Sequence, residues 1–142
     1  MKWLLVVGIV SIILISGCVA STRTLQQAPE QYEGKEMTIE GFSEPAVMIL
    51  VEARVGELWS VSDSQGYTFL VKPLDPKNNP PGHSYRMTGT VTSAEICSCT
   101  NVFTNISLGT RTKDDCDRLD KMECRKIREL YYLEVTEPME KL

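Results

Sequence analysis

The sequence predicts a mainly β protein, built as a small closed barrel whose interior is filled by side chains. Residues 58–62 and 67–72 alternate between apolar and polar side chains, which is the pattern of half-buried strands. Residues 63–66, with the sequence DSQG, separate these two stretches and are typical of a hairpin connection. About five short strands of this kind are expected along the chain, which favours a barrel.

The first strand is expected from residue 35 onward. Met37 and Ile39 fall on one face of it, with polar residues between them. Gly41 interrupts the alternation, as at a bulge where a strand coils sharply. Residues 46–51 are nearly all apolar, and they either continue this strand or start another. The first strand is therefore predicted to be long and interrupted by a glycine.

Two helices are expected around the strands. Pro29 at a first helical position and Gly34 at a stop predict a short N-terminal helix. Residues 85–99 alternate again and are expected to form the fourth strand. An additional helix is predicted over residues 114–130, ahead of the last strand, because four apolar positions fall in one stripe at helical spacing: Cys116, Leu119, Ile127 and Leu130.

Four stretches, in chain order, resemble the OB-fold pattern of small exported prokaryotic lipoproteins and of tRNA-anticodon-binding-like domains: PEQYEGKEMTIEG, LWSVSDSQGYTFLVK, YRMTGTV and YYLEVT. The resemblance implies a five-stranded OB-like barrel over residues 29–138. It also implies a binding face on the strands that carry Trp59 and Tyr67, whose rings would stack on sugars or bases, unless they fill the barrel instead. An OB-fold usually places its helix between strands three and four. Here a proline-rich loop fills that place, and the additional helix lies between strands four and five.

Residues 1–17 predict a lipoprotein signal peptide. Lys2 precedes an uncharged run of 14 residues, which is about 21 Å of helix and short for a membrane span. Ser16 and Gly17 then precede Cys18, and this order resembles a lipobox, in which the cysteine thiol receives a diacylglyceryl group. Residues 18–28 would tether the lipid to the barrel. The alternative is a plain N-terminal anchor helix with an incidental cysteine, and both interpretations place the rest of the chain outside the cytoplasmic membrane.

Four cysteines remain after Cys18, and an even number in an exported chain predicts two disulfides: Cys97, Cys99, Cys116 and Cys124. A bond between 97 and 99 would span a single residue, and helical residues 116 and 124 would lie roughly 12 Å apart, beyond disulfide reach. Two arrangements stay open: 97 with 116 and 99 with 124, or 97 with 124 and 99 with 116. The alternative uses of these residues are a tetrahedral zinc site and a redox-active set of thiols.

The net charge of the chain limits the classes of molecule that it is expected to bind. Without the leader the chain has 14 basic and 19 acidic residues, a formal charge of −5, so it does not attract phosphate backbones at long range. Nucleic acid is therefore disfavoured, and the expected contacts are the membrane, through the lipid, and an unknown protein or small ligand. No cofactor or metal is expected. Asn105 begins an N-glycosylation sequon, which matters only in a host that glycosylates outside the cell.

The sequence contains no recognisable catalytic set. His83 is the single histidine of the chain and lies in the proline-rich loop of residues 75–84, where a solvated role is expected. Neither a G-x-S-x-G nor an H-E-x-x-H motif occurs. The expected function is a non-enzymatic, membrane-anchored, extracytoplasmic binding or assembly module. The alternatives are a redox or metal-handling lipoprotein that uses the four cysteines, and an OB domain that binds oligosaccharide or nucleic acid.

Overall fold

The computed structural model describes residues 21–46 and 57–142, and strands make up 53% of them. The prediction of a mainly β protein is confirmed. Within these residues no helix is long and apolar enough to cross a membrane. The elements follow in this order: α1 (Thr22–Gln27), a 3-10 helix (Pro29–Tyr32), β1 (Glu36–Pro45), β2 (Trp59–Ser62), β3 (Thr68–Lys72), β4 (Ser84–Asn101), β5 (Ser107–Thr112), α2 (Lys113–Asp117), β6 (Met122–Val135) and β7 (Glu140–Lys141).

Five of the strands close into a ring, in the order β1-β2-β3-β6-β4 and back to β1. β1 makes the closure, because residues 36–42 pair with β4 and residues 42–45 pair with β2. The pairings in the ring are antiparallel except that of β3 with β6, where Val71 lies opposite Leu133. Closure gives each of the five strands a neighbour on both sides, whereas β5 pairs with β4 outside the ring.

Gly41 lies where β1 passes from one partner strand to the other. β1 is a continuous strand through this glycine, and a Cβ atom added there would lie 2.5 Å from the carbonyl oxygen of Ser62. No side chain fits at that distance, because real Cβ atoms do not approach backbone so closely. Glycine therefore allows β2 and β4 to approach β1 from both sides, as a strand that coils sharply requires.

Gly89 is the tightest position on β4, and its substitution provides a test of the ring. A Cβ atom there would lie 2.1 Å from the carbonyl oxygen of Glu134, which belongs to the backbone of β6 and cannot rotate away. We expect Gly89→Ala to lower the free energy of unfolding by more than about 2 kcal/mol. Urea denaturation measures this loss. The control is Thr90→Ala on the same strand, which should cost less than about 1 kcal/mol, and equal midpoints for the two variants would contradict the close approach.

The ring encloses the main core. Its largest fully buried side chains include Trp59 and Tyr85, whose ring centroids lie 6.0 Å apart. The strands of the ring contribute alternate residues to it, because successive side chains of a strand point to opposite faces. The buried cluster consists of Leu25, Ile39, Trp59, Val61, Phe69, Val71, Tyr85, Met87, Val91, Leu133 and Val135.

The N-terminal segment packs against one end of the ring. The short helix expected after Pro29 is a 3-10 helix, Pro29–Tyr32. Ahead of it, part of the segment assigned to the tether forms α1, in which the side chain of Ser21 caps the first turn by accepting a bond from the backbone N–H of Thr24. Leu25 of α1 is fully buried in the main core. The described residues therefore begin three positions after Cys18, which itself lies outside them.

The predicted helix over residues 114–130 is wrong. α2 covers only Lys113–Asp117, and it follows β5. Lys121 then has a positive φ of 59°, where the chain turns into β6. β6 pairs with β4 from Met122 opposite Asn101 to Val135 opposite Gly89. Pairing with an 18-residue neighbouring strand overrides the local helical spacing, because helix propensity is a weak preference.

β4 and β6 continue beyond the ring and form an extension with β5 and α2. We use the term extension for residues 96–128. It connects the fourth and fifth strands of the ring, β4 and β6, and so occupies the place at which the additional helix was expected. The apolar residues 46–51, predicted either to continue the first strand or to start another, lie outside the described residues, apart from Ala46.

Candidate functional site

Two disulfides fix the extension. Cys97 bonds to Cys124 and Cys99 bonds to Cys116, with Cα–Cα distances of 5.4 and 5.6 Å. The prediction of two disulfides is confirmed, and the structure selects one of the two arrangements that the sequence left open. The first bond joins β4 to β6, and the second joins β4 to α2. The two bonds therefore tie β4 to both β6 and α2 within the extension.

The sulfur atoms lie in a small core of their own. Cys97, Cys99 and Cys116 are fully buried, with Leu119 and Met122 packed against them. Thiol–disulfide exchange requires access of an attacking thiolate to sulfur, and burial prevents that access. This environment favours a structural role, most clearly for the Cys99–Cys116 bond, because Cys124 of the other bond is only partly buried. Within the described residues, no group of three or more histidine, cysteine or acidic side chains is arranged to hold a metal ion.

The two aromatic residues predicted as ligand contacts occupy different environments. Trp59 is fully buried in the main core, and its indole N–H donates to Glu57 Oε1 at 3.0 Å. Tyr67 is half-buried, and the guanidinium of Arg23 lies 5.4 Å from its ring centroid. Trp59 thus fills the ring interior, which is the alternative that the strand alternation allowed. The structure does not bring the two rings together into one stacking surface.

A depression lies where the extension meets the ring. We call it the base groove; its volume is about 450 Å³, within the usual range of ligand sites. β3, β4 and β6 supply one part of its lining and α2 with the residue after it supplies the other. Its polar and charged lining residues include Lys72, Glu95, Lys113, Asp114, Arg118 and Tyr132. Folding brings together residues that are up to 60 positions apart in the chain.

The base groove carries both signs of charge. Lys72 Nζ lies 3.4 Å from Glu134 Oε1. Lys113 pairs with Asp117 one helical turn later, and this hydrogen bond raises the pKa of the lysine. Burial raises the pKa of Tyr132, so its hydroxyl stays protonated and can donate. The groove can therefore hydrogen-bond and pair charges with a small polar ligand.

A Ser-His-acid catalytic set would need the chain's one histidine. His83 precedes β4, whereas residues 92–95 of that strand line the base groove. The His83 ring lies edge-on to Tyr85, with their centroids 6.3 Å apart. The groove thus offers hydrogen-bond donors, acceptors and charge, which suit binding.

The hydroxyl of Tyr131, near the base of the extension, gives a prediction for how the stability of the folded protein depends on pH. Its hydroxyl donates to Glu129 Oε2 at 2.9 Å, and this bond raises the pKa of Tyr131 from 10.0 to about 12. While Glu129 is ionised, the bond stabilises the folded protein fully below pH 10.0, and that contribution is lost as the pH rises through about 12. In a phenolate absorbance titration we expect Glu129→Gln to move the highest midpoint down towards 10.0. Tyr131→Phe should remove that midpoint, and an unchanged curve in both variants would contradict the assignment.

The far end of the extension is the turn between β4 and β5. We call residues 102–108 the tip. The side chain of Asn101 accepts hydrogen bonds from the backbone N–H groups of Phe103 and Thr104, at 2.9 and 3.1 Å. Phe103 and Ile106 are held outward, with 77% and 63% of their surfaces exposed. Val102 and Leu108 are also exposed, so the tip is an ordered apolar surface.

The base groove and the tip were both missed by reasoning from the sequence. The groove combines β3, β4, β6 and α2, and the sequence predicted neither the end of α2 at Asp117 nor the packing of α2 beside these strands. The sequence of the tip does have a recognisable feature, since "NVFTNISL" is apolar at four positions between polar ones. That spacing predicts no exposure by itself. Of the predicted site residues, Cys18 lies outside the described residues, and the four other cysteines come together as described above.

Comparison with known proteins adds no relative. No family model, no curated protein and no solved structure matches this chain. The function must therefore be inferred from the chain's own residues: the disulfide-fixed extension, the base groove and the tip.

Proposed function

We propose that this chain is a lipid-anchored, extracytoplasmic binding or assembly module built on an OB-like barrel. The base groove is its ligand site. The N-terminal leader and Cys18 supply the anchor, the ring supplies the scaffold, and the extension shapes the groove.

The position of the extension carries this proposal. OB-folds bind their ligands on the face of strands two and three and with the loops that follow strands one and four. In the ring, β4 and β6 are the fourth and fifth strands, so the extension takes the place of the second of these loops. The base groove lies between the extension and the end of β3. An elaborated, cross-linked loop at that position supports a binding role for it.

The disulfides support an extracytoplasmic location. Paired cysteines persist in oxidising compartments and are rare where cellular reductants keep thiols reduced. The two bonds hold the extension together, so reduction would loosen the walls of the groove. The burial of three of the four cysteines, Cys97, Cys99 and Cys116, also favours this proposal over a redox-handling lipoprotein, because exchange chemistry needs accessible sulfur. The buried position of Trp59 likewise weakens the case for a sugar-stacking or base-stacking site.

The anchor is tested by intact mass analysis of the full chain, produced in a prokaryotic host that processes lipoproteins. We expect a membrane-bound species that begins at Cys18, carries a diacylglyceryl group and has no free thiols. Cys18→Ser is the control, and it should retain the leader and lack the lipid. An unprocessed chain in the cell interior with free thiols would overturn the location.

The ligand site is tested on the membrane-extracted chain by native mass spectrometry. We expect a small molecule to co-purify with the wild type and to be lost from the double variant Lys113→Ala/Arg118→Ala. The matched control is Lys77→Ala, which removes an exposed lysine that does not line the groove. Retention of the same bound mass in all three proteins would exclude the base groove as the site.

A further inference from the structure

We propose that the tip enters the lipid headgroup region of the membrane that carries the chain, and so makes a second membrane contact beside the lipid anchor. The inference rests on the proposed anchor for its orientation. It goes beyond the anchor because it assigns the surface that faces the bilayer. The partner is a lipid surface with anionic headgroups.

The apolar character of the tip is the first observation. Four of its side chains are about half or more exposed, and they occupy the turn and the start of β5: Val102, Phe103, Ile106 and Leu108. Contiguous exposed apolar residues of this kind mark sites of interaction rather than ordinary surface. The turn is also ordered, because Asn101 accepts two backbone hydrogen bonds from it. Insertion therefore requires little further loss of backbone entropy.

The charge around the tip is the second observation. Lys121 Nζ lies 5.8 Å from the ring centroid of Phe103, and Arg125 Nη2 donates to Asn105 Oδ1 at 3.2 Å. Glu123 partly offsets this charge, with its carboxylate 4.0 Å from Arg125 Nε. An apolar turn flanked by cations fits the interface of a bilayer with anionic headgroups.

The distribution of charge along the chain points the same way. The extension has seven basic and five acidic residues, a formal charge of +2, although the mature chain as a whole carries −5. The rest of the mature chain therefore carries −7. An anionic surface attracts the extension and repels the remainder, which favours an orientation with the extension towards the lipid.

The N-terminal segment lies at the end of the ring from which the extension leaves. Gln26 Oε1 of α1 accepts from the backbone N–H of Thr68, the first residue of β3. β3 runs parallel to β6, so the start of β3 faces the part of β6 that belongs to the extension. Farther along, Glu33 hydrogen-bonds Ser93, just before the extension begins. The anchor and the extension are therefore on the same side of the ring.

Two lengths then bring the tip to the bilayer. At most about 14 Å of extended chain separates Cys18 from Thr22, the first residue of α1. Asn101 lies five residues beyond Ile96, where the extension begins on β4, which is about 17 Å along a strand. Because the extension is longer than the chain that joins α1 to the lipid, the tip can reach the membrane when the anchor holds this end of the ring near it.

Depth-dependent quenching of a tryptophan tests the proposal. The acylated full chain is reconstituted into vesicles of phosphatidylcholine and phosphatidylglycerol with brominated acyl chains, which quench tryptophan near them. The variant Phe103→Trp places the probe at the tip. The matched control is Leu74→Trp, an equally simple substitution of an exposed apolar residue just beyond the opposite end of β3. Trp59 is buried and gives the same background in both variants.

We expect the Phe103→Trp variant to lose most of its added emission in brominated vesicles and the Leu74→Trp variant to lose none. The loss should diminish when phosphatidylglycerol is omitted, or when Lys121→Gln and Arg125→Gln are added to the tip probe. An acylated, vesicle-bound chain whose two probes are quenched equally would overturn the tip contact and leave the anchor intact.

Two other outcomes would also overturn the tip contact. A chain without acyl groups that stays free of the vesicles would overturn the anchor and the tip contact together, and intact mass distinguishes this case. A native chain whose mass shows a glycan at Asn105 would place a bulky hydrophilic group on the turn. Such a turn could not enter the headgroup region. The exposed surface of the tip would then serve as a glycosylation site and not as a membrane contact.

Discussion

Replacing Trp59 by alanine should lower the free energy of unfolding by about 3–5 kcal/mol, the usual cost of removing a large aromatic side chain from a core. Trp59 has no exposed surface, packs against Tyr85 and satisfies its indole N–H with Glu57. Its removal leaves a cavity at the centre of the ring, lined by side chains from other strands. Since small domains are stable by only about 5–15 kcal/mol, the variant should unfold at a much lower urea concentration.

Tyr67→Ala is the matched control for this prediction. Its ring is half-buried, and it contacts Arg23 at the surface, so we expect a loss of less than about 1 kcal/mol. The comparison also separates the two roles that an aromatic residue on these strands could have. If Trp59→Ala kept the wild-type urea midpoint and lost a bound ligand instead, the residue would be a stacking platform and its place in the core would be wrong.

Removal of either disulfide should destabilise the chain by about 3 kcal/mol, since a cross-link lowers the entropy of the unfolded chain by an amount set by the loop it closes. The loops span 27 residues for Cys97–Cys124 and 17 for Cys99–Cys116, so the first bond should contribute slightly more. The two double-alanine variants, measured by urea denaturation, test this order. Because one loop encloses the other, removing both bonds should cost less than the sum of the separate losses.

Peptide mapping without reduction is the control for these variants. It should recover Cys97 with Cys124 and Cys99 with Cys116 in the wild type, and one intact bond in each double variant. Recovery of the other arrangement, Cys97 with Cys116, would contradict the structure. Unchanged urea midpoints in both double variants would show that the bonds do not hold the extension in its folded form.

The strands could be predicted wherever one face is buried and the other is solvated. Residues 58–62 and 67–72 alternate because every second side chain enters the ring, and the backbone N–H of Gly66 bonds to Asp63 in the hairpin between them. The segment after residue 114 could not be predicted in this way. Around Cys97 and Cys124 the strands lie outside the ring, and burial by α2 replaces burial in the main core. The alternation of apolar and polar residues is therefore lost there, and the apolar residues of this segment fall at helical spacing by chance.

The candidate site could be predicted from the sequence even less well than the strands could. Lys72 and Lys113 lie 41 positions apart, and only the parallel pairing of β3 with β6 and the return of α2 over β4 bring them to one groove. The exposure of Phe103 also depends on tertiary structure, because the same apolar residue would be read as core in another strand. A spacing pattern records which residues share a face but not whether another element covers that face.

The sequence by itself determined the mainly β class, the hairpin of residues 63–66 and the even set of four cysteines after Cys18. Each of these depends on local periodicity, turn chemistry or a count, which the chain carries without reference to distant residues. Only the tertiary structure decided the disulfide pairing, the closure of the ring by β1, and the place of the extension. Those features join residues far apart in the chain, and such pairings depend on the competition between long-range contacts and local preference.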